Sequence, residues 1–339
     1  MSDWERLVKE KGITTIAISI AIVTIVVVVG VGVYLLTKPP EEKPVEEEKP
    51  PELTNDFTPP SGKVPGPGEY GPWNTRLMIA TSNDGLAWIR TNQILSDQAD
   101  VPDAIIGARG WIFVYYVTWA EEVRNRIVAA ISPDNGVSWV YKKVNIANVP
   151  GGWAPPVDPD VVLLDNGDFR LYFTSDPDGA GPTKPGTYSA ISGDGLNFTL
   201  ESGARFAVEG REVLDPTLLK IGEVWHYFAG GIGGGVNYHA TSADGLSFTR
   251  APDVQIDKLM FANGIAVPGG YRFYCFDVER PPAHRIWSVF STDGGTWEVE
   301  GKVLDVDVAA GLESVFVRDP AVVRLPDGTY LMFYTTLIP

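Results

Sequence analysis

From Thr75 onward the chain is built of short apolar runs separated by turn residues. "TRLMIAT" (75–81), "WIFVYYV" (111–117), "FRLYFTS" (169–175), "VWHYFAG" (224–230), "YRFYCFD" (271–277) and "YLMFYTT" (330–336) are rich in β-branched and aromatic residues and bounded by Gly, Asp and Pro. That pattern predicts strands joined by tight hairpins. The runs recur in groups of four. The first of each group opens on an Asp-Pro or a related pair: "VPDAIIG" at 101, "DPDVVLL" at 158, "DPTLLKI" at 215, "FANGIAV" at 261 and "DPAVVRL" at 319. The second follows a Gly-centred turn. The third ends at a Ser-Asp-Gly cluster, as in "RIVAAIS" and "RIWSVFS", and the fourth begins at the aromatic after it.

The clusters set the period. "SNDGLAW" (82–88), "SPDNGVSW" (132–139), "SGDGLNF" (192–198), "SADGLSF" (242–248) and "STDGGTW" (291–297) lie about fifty residues apart, a repeat length of propellers and solenoids. Five groups of four antiparallel strands predict an all-β, five-bladed β-propeller, which removes long sheet edges by radial closure. The repeat starts on a third strand and finishes on a second strand, so the last blade must combine strands from both ends and hold the ring shut. Within each cluster, Asp84, Asp134, Asp194, Asp244 or Asp293 is placed to accept backbone N–H bonds while the Gly takes positive φ. These five Asp residues are read as structural staples.

A different pattern precedes the repeat. No residue from Gly12 to Thr37 is charged, and "IAISIAIVTIVVVVGVGVYLL" supplies 21 nearly unbroken apolar residues. As a helix that run is about 30 Å long, enough to cross a bilayer. Residues 12–37 are therefore expected to be one uncleaved transmembrane α-helix behind a short tail, 1–11. Lysines and arginines before and after the span balance, so charge scarcely votes on orientation. A short tail ahead of a large domain suits a signal anchor with the bulk of the chain outside the cytoplasm. Residues 38–72 carry ten of the 27 prolines and many glutamates, and are expected to form an extended stalk. The propeller then occupies 73–339.

Composition narrows the partners. A formal charge of -16 opposes nucleic-acid binding, which needs a basic footprint, and opposes anionic lipid surfaces. Cys275 is the single cysteine and the three histidines are scattered, so neither an internal disulfide nor a zinc site is expected, and no cofactor is called for. Asn197 of "NFT" is a glycosylation sequon.

The clusters resemble the Asp-box (BNR) repeat of sialidases and related propellers. "SPDNGVSW" keeps its full spacing and the other four are one residue shorter. The whole repeat resembles the five-bladed glycoside hydrolases of the arabinanase, xylosidase, invertase and levansucrase group. "VDPDVVLLDNGDFRLYFTS" (157–175) and "VRDPAVVRLPDGTYLMFYT" (317–335) carry the likeness best. That resemblance implies carbohydrate as substrate or ligand, and acidic residues at the starts of the innermost strands as base or nucleophile, tuning Asp and general acid. Carried over, it assigns Asp103 as base, Asp158 or Asp160 as tuning carboxylate and Glu212 as acid, with Asp215 and Asp319 as rivals. Hydrolysis of a glycosidic bond needs such carboxylates flanking it. The same Asp-Pro pairs also serve to cap and turn a strand, and a propeller that only binds glycans or proteins stays open as the alternative. Trp153, in the longest fourth-to-first loop, is positioned to stack on a sugar. Arg211 and Arg318, with Arg285, are the candidates for contacts to a sugar carboxylate.

Overall fold

The computed structural model describes residues 53–66, 68–179, 184–231, 235–278 and 285–339. The expected transmembrane helix over 12–37 and the first part of the stalk lie outside the described residues. Among the described residues no helix is long and apolar enough to cross a membrane.

The strands, in chain order, are β1 (Thr75–Ser82), β2 (Ile89–Asp97), β3 (Ala99–Ile106), β4 (Ile112–Thr118), β5 (Arg126–Ser132), β6 (Val140–Lys143), β7 (Asn145–Ala147), β8 (Val157–Leu163), β9 (Phe169–Ser175), β10 (Gly186–Ser192) and β11 (Asn197–Leu200). They continue with β12 (Leu214–Ile221), β13 (Val224–Gly230), β14 (Asn237–Ser242), β15 (Thr249–Val254), β16 (Leu259–Val267), β17 (Gly270–Asp277), β18 (Ile286–Ser291), β19 (Glu298–Leu304), β20 (Ser314–Arg324) and β21 (Tyr330–Leu337). Blade I is β3-β4-β5-β6, blade II is β8-β9-β10-β11, blade III is β12-β13-β14-β15 and blade IV is β16-β17-β18-β19. Short β7 adds to the outer edge of blade II, parallel to β11.

Blade V is the expected closure. Its order is β20-β21-β1-β2, with β1 and β21 paired from Thr75↔Leu337 to Ser82↔Tyr330. The two ends of the repeat are thus fastened by a full antiparallel ladder.

The apolar core lies between neighbouring blades. Leu77, Ile112, Val114, Tyr116 and Phe333 pack between blades V and I, and Phe113, Tyr115, Leu171 and Phe173 between I and II. The aromatic that follows each Ser-Asp-Gly cluster enters one such interface: Trp139, Phe198, Trp88, Phe248 and Trp297. Phe198 is 1% exposed, and burying one such side chain is worth about 1.5–3 kcal/mol.

The clusters act as staples, as the sequence suggests. In the turn after β10, Asp194 Oδ1 accepts the N–H groups of Leu196 and Asn197 at 2.8 Å each, and Ser192 Oγ accepts that of Gly195 at 3.0 Å. The other four turns repeat the arrangement with small shifts. These bonds hold the carboxyls of Asp84, Asp194 and Asp293 below the usual carboxylate range, and that of Asp244 at about 2. The turns also join blades. Tyr115, Tyr172 and Tyr274, on second strands, donate their hydroxyls to the carbonyls of Gly195, Gly245 and Gly85 in the next blade's turn. A Cβ on Gly195 would sit 2.9 Å from the Tyr115 hydroxyl, so both positive φ and close approach select glycine there.

The compact unit begins at Leu53, earlier than the Trp73 start read from the sequence. Asp56 N–H donates to the Tyr141 carbonyl at 2.8 Å, and Phe57, 4% exposed, enters the core between blades V and I. Phe57, together with bonds between Asn55 and Asp56 and the β6 residues Tyr141, Lys142 and Lys143, docks that stretch on the outer edge of blade I.

Candidate active site

The innermost strands β3, β8, β12, β16 and β20 converge on the propeller axis, and four of them begin with the same distortion. Val101, Asp158, Asp215 and Asp319 hold left-handed φ values of 48°, 52°, 52° and 46°, and each precedes a proline. The ladder slips at each of these points, between Asp100 and Asp103, Val157 and Asp160, Leu214 and Thr217, and Arg318 and Ala321. This is a β-bulge, and proline is tolerated in it because the extra residue has no ladder bond to donate. Asp accepts the left-handed conformation readily, whereas β-branched Val101 is strained there.

The bulges direct charged side chains to one mouth of the axis. Asp158 and Asp215 are half-buried, and Asp319 is 7% exposed. Arg318 and Asp100, one residue ahead of the left-handed position in adjacent blades, join them: Arg318 Nη2 donates to Asp100 Oδ2 at 2.9 Å, and Arg318 Nε lies 3.1 Å from Asp319 Oδ2. Two carboxyls therefore contact one guanidinium, Asp158 and Asp215 lie within reach of its charge, and Phe316 covers it from one side at 4.7 Å.

Burial and that imbalance push the mouth carboxyls in one direction, upward. Burial raises the Asp158 carboxyl to about 6, with the Thr174 hydroxyl and the Asp215 N–H pulling it back. Burial also raises Asp319 to about 7, opposed by Arg318 and assisted by Asp100 and Asp158. Asp215 is pushed well above the usual range, by burial and then by the charges of Asp158 and Asp319. The three carboxyls at the mouth are thus all held above the ordinary carboxylate range, the condition under which one member of a group can keep its proton while a neighbour ionises.

Two residues further along the same strands the geometry changes. Asp103 is 3% exposed, and its Oδ2 accepts the Val161 N–H of blade II at 2.7 Å. Asp160 Oδ1 accepts Leu218 N–H of blade III at 3.1 Å, and Asn263 Oδ1 accepts Val322 N–H of blade V at 3.0 Å. Asn263 Nδ2 reaches back across the axis to Asp103 Oδ1 at 3.0 Å. These three side chains form a waist that ties β3 to β8, β8 to β12 and β16 to β20. Burial raises Asp103 to about 7 and, together with the Asp103 charge, raises Asp160 well above its ordinary value. Below the waist, a cavity of about 400 Å³ opens at the opposite end of the axis, walled mainly by aliphatic side chains such as Ile105, Leu163, Leu219 and Ile265.

The residues singled out from the sequence thus fall in different places. Asp158, Asp215, Asp319 and Arg318 meet at the mouth. Asp103 and Asp160, read there as base and tuning carboxylate, sit in the waist with oxygens bonded to neighbouring strands. Glu212 lies in the loop before β12, 3.6 Å from Lys184. Arg211 is exposed beside it, where its N–H closes a turn onto the Val208 carbonyl. Trp153 packs against Tyr188, with ring centroids 4.5 Å apart, and lines a lateral pocket. Arg285 pairs loosely with Asp277 and Asp305. Asp100 escaped the sequence reading because alignment on the Asp-Pro pairs gives blade I a valine and leaves the preceding aspartate uncounted. Among the described residues no group of His, Cys, Asp and Glu is arranged to hold a metal ion.

No family model matches the chain, and no curated protein matches it. Solved structures do. An α-L-arabinofuranosidase from Clostridium thermocellum is 17% identical, over 71% of this chain and 82% of that one, with a TM-score of 0.52. A thermostable family-43 glycoside hydrolase is 15% identical over 70% of this chain and 88% of that one, at a TM-score of 0.55. A protein of unknown function from Dyadobacter fermentans is 15% identical over 81% and 87%, again at 0.55. At these identities the likeness shows a shared fold.

Proposed function

We propose that the propeller is a glycoside hydrolase acting on glycans at the acidic mouth. The observation that supports this most is the convergence of Asp158, Asp215 and Asp319, each carried at a matching bulge on its own inner strand, beside the Arg318 guanidinium. In this reading Asp158 is the ionised partner: its carboxylate takes a proton from a water as the water oxygen bonds to the anomeric carbon. Asp215 gives its proton to the glycosidic oxygen as the old bond breaks, so the leaving group departs as a neutral alcohol. Arg318 and Asp100 are positioning residues that set the charge around Asp319. Residues 12–37 anchor the chain in a membrane, and the Pro/Glu-rich stretch after them tethers the propeller outside the cytoplasm. The uninterrupted apolar run supports that arrangement.

The test is sugar release by the full chain in detergent, against aryl glycosides and plant, microbial and sialylated oligosaccharides. Release that is lost in Asp215→Asn supports the assignment. Silence across the panel from folded protein overturns it in favour of a binding propeller, the reading favoured by Val101 at the position where three other blades place an Asp. Resistance to alkaline extraction from membranes, with the propeller open to protease from outside, tests the anchor.

A further inference from the structure

The loop that leads into the mouth also walls a second cavity. A pocket of about 330 Å³ is lined by Arg126 and Ile127 at the start of β5, by Asn145 and Ile146 of β7, and by Trp153 and the Pro155-Pro156 pair. The β4–β5 connection and the loop entering β8 both lie at the mouth end of their strands, so the pocket shares that face of the ring. Only Val157 separates Pro156 from Asp158.

Arg126 is the one charged residue in the lining of this pocket. Acidic residues outnumber basic ones 43 to 27 in the chain, and Arg76, Arg90, Arg170, Arg272 and Arg318 are each matched to a carboxylate. Arg126 makes no ion pair and no side-chain hydrogen bond among the described residues, and neither does the side-chain amide of Asn145. A guanidinium presents a planar fork of donors that fits a carboxylate with two parallel bonds. An amide offers both a donor and an acceptor to hydroxyls. The Trp153 indole, held by Tyr188, and the two prolines add flat apolar surface suited to the C–H face of a sugar ring. On a protein of charge -16, an anionic ligand docks only where a local cation offsets the general repulsion.

We propose that this pocket is a second glycan subsite that binds a uronic-acid residue, with Arg126 on its carboxylate, Asn145 on its hydroxyls and Trp153 along its ring. The inference rests on the glycan-acting reading of the mouth and makes that substrate an acidic polysaccharide, held at the pocket while a neighbouring linkage lies at the mouth.

The experiment is calorimetric titration of the full chain in detergent, carrying Asp215→Asn so that no turnover consumes the probe. The probes are a galacturonic-acid oligosaccharide and a neutral galactose oligosaccharide of equal length. The acidic probe is expected to bind more tightly, to weaken with added salt, and to lose about tenfold or more in Arg126→Gln. Arg126→Lys restores only part of the loss, because an ammonium lacks the fork. Trp153→Phe, which keeps the packing on Tyr188, weakens both probes. Equal affinity for the two probes, or an Arg126→Gln variant that binds the acidic probe as the parent does, overturns the proposal. If uronate binding depends on Arg126 but no glycan is cleaved by the parent chain, the hydrolase reading fails and the pocket stands. If neutral glycans are cleaved and Arg126→Gln changes nothing, the pocket fails and the hydrolase reading stands.

Discussion

The mouth and the waist of the propeller are built from the same residue type on the same strands, two positions apart. Asp158 and Asp160 illustrate the contrast within one blade. At the mouth, the left-handed bulge places Asp158 among other carboxyls, where the Thr174 hydroxyl, the Asp215 N–H and the Arg318 charge only partly offset the cost of burying it. At the waist, Asp160 accepts the Leu218 N–H and binds blade II to blade III. Past the bulges, Asp103 and Asp160 meet backbone N–H groups of the next inner strand, whereas at the bulges several charged side chains face one another. An aspartate on an inner strand is therefore available for chemistry or committed to assembly according to its place relative to the bulge.

Substitutions separate the two regions. The largest effect is expected at the mouth, where Asp215→Asn removes the proton donor and lowers kcat by about 10²–10⁴, as measured on whichever glycoside the parent chain cleaves. Its thermal midpoint should hold or rise, since the change relieves repulsion among buried carboxyls. A midpoint that collapses would make Asp215 a waist-like residue and erase the distinction.

At the waist, Asp103→Ala strips the acceptor from the Val161 N–H and from Asn263 Nδ2, which leaves two buried donors unpaired. A loss of about 3 kcal/mol is expected by denaturant unfolding. A variant as stable as the parent would show that the waist does not hold the blades.

The pH dependence tests both regions together. Asp158 at about 6 and Asp319 and Asp103 at about 7 all lie above the ordinary value of 3.8. Between about pH 4 and 7 the native state thus holds more protons than the unfolded chain, so stability falls as pH rises through that window. Asp160 and Asp215 extend the decline to higher pH. Unfolding at pH 4.5 and 7.5 should show the slope, and Asp158→Asn with Asp319→Asn should flatten the mouth's share and leave the waist's.

The smallest effect is expected at Glu212, whose link to Lys184 is partly exposed. Glu212→Gln should change stability by less than about 1 kcal/mol and leave sugar release largely intact. Abolished release would instead move the acid role from Asp215 to the loop.

Much of this architecture was legible in the chain. The Ser-Asp-Gly clusters announce their own hydrogen bonds because Ser192, Asp194 and Gly195 act within one turn. The closure of β21 on β1 follows from counting strands. The site was legible only in part. Asp158, Asp215 and Asp319 stand out through their prolines, but Asp103 looks equally catalytic in sequence, since nothing local shows that Val161, 58 residues away, claims its oxygen. Asp100 lacks a proline of its own and gains significance only from Arg318, which lies 218 residues further along the chain. Phe57 was read as part of the stalk because its burial depends on a groove made by other segments.

Sequence alone determined what depends on neighbours within a few positions: period-two strands, turn chemistry, the fifty-residue repeat, the number of blades and the uncharged run before them. Tertiary structure decided what depends on convergence at the axis. Which carboxylates meet, which accept a backbone N–H and which are left to repel one another are all set by distances between strands far apart in the chain. Electrostatic and hydrogen-bond energies follow those distances, and sequence separation does not encode them.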